Sequence, residues 1–135
     1  MLQVHDALWV AEGTIVNFYG APYPTRSAIS RLANGDLWVW SPVKLAANLR
    51  TAVDCLGPVR HLVSPNKLHH LYLKEWKAAY PEASLWGPQS TIKKCPDLTF
   101  REALQDDPPA ACKPQTFVAA LRLPSALERL NENFV

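Results

Sequence analysis

Just after Pro42 the hydrophobic period of the chain changes, and that change limits the fold more than any other feature. Before it, "ALWVAEG" (7–13) and "TIVNFYG" (14–20) are short, β-branched and aromatic, and each closes on glycine. They read as two strands. "YPTRSAISRL-ANGD-LWVWSPV" reads as a hairpin, with Asn34-Gly35 supplying the positive φ angles of a tight turn. After Pro42, Leu45, Leu49, Ala52, Val53 and Leu56 recur at three- and four-residue spacing, which predicts a helix stopped by Gly57-Pro58.

"VRHLV" (59–63) follows as a strand bounded by Pro58 and Pro65. "LHHLYLKEWKAAY" (68–80) returns to helical spacing, with Leu68, Leu71, Tyr72, Trp76 and Ala79 on one broad face. Ser64 would cap this helix and Pro65 would take its first position. "ASLWGP" supplies one more strand. The resulting β-β-β-α-β-α-β order implies an α/β (α+β) fold: a mixed sheet with helices packed against one face. Leu45, Leu49, Val53, Leu62, Leu71 and Trp76 are the expected core. After Gln89 the pattern is less regular. "TFVAALRL" reads as a strand and "PSALERLNENF" as a short amphipathic helix.

Composition bounds the class. The chain has 135 residues, enough for one domain with a real core, and its 48% hydrophobic and 19% charged content is that of a folded protein. A net charge of +2 implies neither nucleic acid nor membrane as partner. The stretch from Lys44 to Lys94 is more basic, with eight Lys or Arg against Asp54, Glu75 and Glu82. Scattered surface lysines explain that balance. Cys55, Cys95 and Cys112 show no CxxC spacing and read as reduced intracellular thiols, Cys55 as a packing residue. No basic-then-apolar leader and no apolar run near ~20 residues is present, so the expected address is cytoplasmic.

Five stretches together carry a family resemblance: "ALWVAEG", "FYGAPYPTR", "LWVWSPVKL", "LGPVRHLVSPNKLHHLYLKEWKAAYPEASLWGP" and "KKCPDLTF". The chain resembles an uncharacterised bacterial family, domain of unknown function 4336, related to the metallo-β-lactamase-like hydrolases. The most specific part runs from Leu56 to Tyr80. This resemblance implies an αββα sandwich, two facing sheets with helices outside. Such a domain needs roughly 200 residues, so the chain reads as its N-terminal part: residues 1–110 a partial metallo-hydrolase-like domain, 111–135 a divergent tail with a short helix. A half sandwich would leave one sheet face bare, with Trp38 and Trp40 on it, and self-association is the expected remedy.

The resemblance also implies a metal motif, His-x-His-x-Asp-His, in the loop after a strand. Here it falls on Pro65, Asn66, Lys67, Leu68, His69 and His70, and only His70 keeps its type. Proline cannot ligate, and Lys67 places a cation where a ligand is wanted. Successive helical positions point about 100° apart, so one metal rarely takes both His69 and His70. No metal is therefore expected, with His70 the remaining weak candidate. The alternative is zinc or another divalent metal held with ligands from elsewhere.

Two readings of function follow. The first is a non-catalytic member with a degenerate metal site. The alternative is a metal-dependent hydrolase using His69 or His70 as ligand or general base. Ser64, Asn66 and Lys67 form a candidate anion pocket, because a helix start offers free N–H groups and positive potential. His61, inside "VRHLV", faces away from the core if Leu62 faces it. The five tryptophans read as packing, not as a stacking platform for bases.

Overall fold

The structure, a computed structural model, describes residues 1–103, the side chain of Glu102 excepted. The chain runs β1 (Leu2–His5), β2 (Leu8–Phe18), β3 (Ala21–Arg31), β4 (Leu37–Trp40), α1 (Ala47–Leu56), β5 (Val59–Val63), α2 (Leu73–Ala79), β6 (Ser84–Gly87), α3 (Gln89–Lys94) and β7 (Phe100–Ala103). All seven strands join one mixed sheet in sequence order. β1 to β4 pair antiparallel, and β4 to β7 pair parallel. The antiparallel half needs only turns. The parallel half needs crossovers, and each helix supplies one. The fold is thus α/β with a mixed sheet. A second sheet does not arise among the described residues.

The helices share one face of the sheet. Val53 of α1, with Leu73 and Trp76 of α2, joins Trp9, Ile29, Leu37, Val39, Leu62 and Leu85 in one buried cluster, and Leu45, Leu49 and Leu56 pack against it. Thr91 of α3 abuts Gly87, which lies two residues from Leu85 and so on the same face. At the centre of this layer, Trp76 is fully buried and its indole N–H donates to the Val43 carbonyl at 2.6 Å. That bond fastens α2 to the segment leaving β4.

Several elements depart from the sequence expectation. β2 is one long strand where two were expected, because Gly13 does not end it. The register shifts between Glu12 and Ile15, and Gly13 lets the strand pass beside Val43. A Cβ there would stand 2.6 Å from the Val43 Cβ. The Asn34-Gly35 turn is longer than two residues. Only Gly35 has positive φ, Leu32 accepts from the Gly35 N–H at 2.9 Å, and Asn34 Oδ1 accepts from the Asp36 N–H.

The second helix was expected from Leu68 but becomes regular only at Leu73. Leu71 is consequently 54% exposed instead of buried, and Leu73 takes its place in the core. Cys55, expected to pack, is exposed, whereas Cys95 is buried. α3 and β7 bring order to a stretch whose sequence pattern is irregular. The tail expected as a strand and a short helix, with Cys112, lies outside the described residues.

The opposite sheet face carries Trp38, Val63 and Trp86, with Leu8 and Ala28 beside them. Trp38 and Trp40 do share this face, with ring centroids 5.3 Å apart. The face is not bare: Trp38 and Trp86 are at most 2% exposed. His61 lies on it, half-buried, and accepts at Nδ1 from the Trp86 indole at 3.1 Å. No helix among the described residues is long and apolar enough to cross a membrane.

These placements set the expected energetics. Trp76→Ala should cost about 3–5 kcal/mol for the lost packing, and it also strands the Val43 carbonyl. Leu71→Ala should stay within about 0.5 kcal/mol. Urea unfolding of the two variants checks this, and comparable losses in both would show that Leu71 belongs to the core.

Candidate functional site

A cleft opens beyond the C-terminal ends of the parallel strands. Ala28 of β3 pairs with Trp40, the last residue of β4, so residues 21–27 run past the end of that strand. The β2–β3 hairpin therefore projects upward on one side. The loop after β5, residues 64–72, stands on the other, and the segment after β4 forms the floor. Between them lies a cavity of about 170 Å³, with Val16, Phe18, Pro24, Pro42, Leu68 and Leu71 as apolar wall. Its polar lining is Ser41, His69, Tyr72, Thr25, Arg26 and Tyr23. Clefts at this end of parallel strands are where α/β sheets take ligands.

Ser41 is the unusual residue. It sits directly after β4 with φ +55°, although a residue preceding proline is normally extended. Such a conformation persists only where its surroundings hold it. Here the Ser41 N–H donates to the Val63 carbonyl at 2.8 Å, and its hydroxyl is hydrogen-bonded to His69 Nδ1. Ser41 is buried, and its hydroxyl and His69 Nδ1 satisfy each other, with the donor set by the imidazole tautomer. Burial holds the His69 pKa below its ordinary value of 6.5, with no charged group contributing among the described residues.

The rest of the loop spends its hydrogen-bonding groups on itself. Ser64 is fully buried and donates through Oγ to the Asn66 carbonyl at 2.8 Å. Asn66 Oδ1 accepts from the Leu68 N–H at 2.8 Å, and the Asn66 carbonyl accepts from the His69 N–H at 3.2 Å. This Asx turn, with the turns after it, replaces the helix start expected at Pro65, so Ser64 is not an N-cap. An anion pocket at Ser64, Asn66 and Lys67 would need the free N–H groups of a helix start. Those at 68 and 69 are engaged instead.

His69 and His70 do not work together. His70 donates from Nδ1 to the Lys67 carbonyl at 2.7 Å, while His69 is tied to Ser41. Among the described residues, no three His, Cys, Asp or Glu side chains converge. Pro65 has no donor to offer, and His69 and His70 have separate partners, so the described donors of this loop do not converge on one point. The pair Ser41–His69 resembles the start of a nucleophilic set, without its other parts among the described residues. No carboxylate orients the imidazole among the described residues, and Pro42 has no N–H to offer an oxyanion.

Sequence reasoning found His69 but missed its partner. Ser41 carries no motif of its own, and its one local signal is a polar residue between a strand end and a proline. Tyr72, whose hydroxyl is 3.1 Å from Thr14 Oγ1, was assigned to a helix face.

The half-buried imidazole should be visible in solution. His69 is expected to titrate below 6.5 in NMR, because the folded protein favours its neutral form. The unfolded chain then binds the proton more tightly. Stability is complete above 6.5 and declines as pH falls from there through the depressed value, His61 contributing with the same sign. A His69 resonance titrating above 6.5 would contradict the burial. No protein-family model matches the chain, and no curated protein matches it.

Proposed function

We propose that this protein is a non-catalytic, small-molecule-binding relative of the metallo-β-lactamase-like hydrolases. Its seven-stranded sheet, helices on one face, would be one layer of their αββα arrangement, and its metal position is degenerate. One observation carries the reading: where the metal-binding loop is expected, His69 is half-buried against Ser41 at the floor of a cleft and is engaged there through Nδ1. A metal centre needs several converging donors, and this loop offers Pro65, Lys67 and two histidines with separate partners.

The alternative is a metal-dependent hydrolase in which His69 or His70 is joined by ligands from elsewhere. Metal analysis of untagged protein separates the two. Zinc, iron and manganese are each expected well below one equivalent, unchanged in His70→Ala. Close to one equivalent, lost in that variant, would favour the hydrolase.

Self-association belongs to the same proposal, through the sheet edge and not through a bare face. β1 is an edge strand exposed along its whole length, and Leu2 and Val4 face water on it. Such an edge invites pairing with a second copy. Sedimentation at micromolar concentration should show a dimer that Val4→Lys weakens. A monomer at all concentrations would end that part of the proposal.

A further inference from the structure

The β2–β3 hairpin rises past its neighbouring strands, and its two long edges are built differently. β1 reaches only as far as Val10 of β2, and β4 pairs only with Ala28 to Arg31 of β3. The Arg31 N–H donates to the Ala7 carbonyl, on the β2 side, so odd positions of β3 turn to β2 and even positions away from it. Pro22 and Pro24 are even positions. Having no N–H, they blunt the edge of the hairpin on the cleft side. Asn17 and Ile15 lie directly opposite these prolines, so their N–H and C=O groups turn away from β3, onto the outer edge.

That outer edge carries none of the protection its counterpart has. "GTIVNFY" (13–19) holds no proline and no charge, and Thr14, Ile15 and Val16 are β-branched. Among the described residues no strand pairs with it beyond Val10. Its side chains stand in water, Asn17 exposed and Ile15 70% exposed, so nothing packs over this side of the strand. The segment is also its own complement. Two copies running antiparallel about Val16 would set Ile15 of one against Asn17 of the other, and these are the two positions whose backbone groups face outward. Thr14 would meet Phe18, and no like charges would meet. A net charge of +2 adds little repulsion between copies.

We propose that the projecting half of β2 is the dimerisation strand: Thr14 to Phe18 of two copies pair antiparallel about a two-fold axis at Val16, joining two sheets into one. This rests on the self-association read above and moves its centre from β1, at the foot of the same edge, to the hairpin. Val16 and Phe18 line the cleft, so the pairing would brace the hairpin wall from outside while leaving the cleft itself open.

Sedimentation and amide hydrogen exchange of the full-length protein, both followed against concentration, test it. As the dimer forms, the Ile15 and Asn17 amides should slow, and those of Val16 and Phe18, which already face β3, should change little. Ile15→Lys, at an exposed position, should weaken the dimer about tenfold or more, and more than Val4→Lys does. Side chains at position 15 of the two copies would lie on one diagonal, ~7–8 Å apart. Mixing the Ile15→Lys and Ile15→Glu chains should therefore restore association that neither shows alone. A mixture no tighter than its components would overturn the two-fold pairing at Val16. A dimer that Val4→Lys weakens and Ile15→Lys does not would overturn this inference and leave self-association through β1. Ile15 and Asn17 amides protected equally at every concentration would show the edge covered within one chain, and would overturn it too. A monomer throughout would end both this inference and the self-association beneath it.

Discussion

The hydrogen bond from the Trp76 indole to the Val43 carbonyl fixes the part of the molecule on which everything else depends. Val43 is itself buried, between Trp76 on one side and the close approach of Gly13 on the other. One residue thereby sets the distance between α2 and the β2–β3 hairpin. The hairpin and the loop before α2 are the two walls of the cleft, so its width follows from core packing. Because a buried carbonyl without a partner costs about 1–3 kcal/mol, the indole bond also keeps the segment after β4 from relaxing outward. Ser41 lies two residues before Val43 in that segment. Its positive φ is tolerable because the chain is held at Val43 and again by the Ser41 N–H on Val63.

Much of the frame was legible in the sequence, for reasons that differ by element. The strand at "VRHLV" matches residue for residue, since Gly57-Pro58 and Pro65 leave no other room. α1 shows its period and its stop directly. The second helix was misplaced because two signals coincide there. Ser64-Pro65 is a good capping pair, but Asn66 closes an Asx turn on Leu68 first, and the local side-chain bond prevails over the helical one. The shift moved Leu68 and Leu71 from the expected core to the rim of the cleft. A periodic apolar pattern cannot tell these fates apart, because both need hydrophobic residues at the same spacing.

The cleft itself was not legible. Its two walls come from segments some fifty residues apart, and no local pattern joins Phe18 and Tyr23 to Leu68 and Leu71. Ser41 is the plainest case. Its significance lies in a backbone angle and a long-range hydrogen bond, and neither has a residue signature. His69 stood out for its resemblance to a ligand position, and the structure gives that side chain a different kind of partner. The second sheet face taught the reverse lesson. Trp38 and Trp86 were rightly treated as packing residues, and both are buried.

A loop evolved to hold metal and a loop evolved to line a cleft make opposed demands on the same backbone. Metal ligation wants several donors aimed at one point, with their second nitrogens or oxygens held from outside. Here the holding is internal: Ser64 and Asn66 close the turn, His70 caps the Lys67 carbonyl, and His69 reaches back to Ser41. Each of these bonds stabilises the loop and fixes the direction of a side chain or a turn. The consequence is a wall held by its own hydrogen bonds, with His69 and Tyr72 among the residues lining the cleft. The chemistry of the site is set by the turn that precedes it as much as by the side chains that line it.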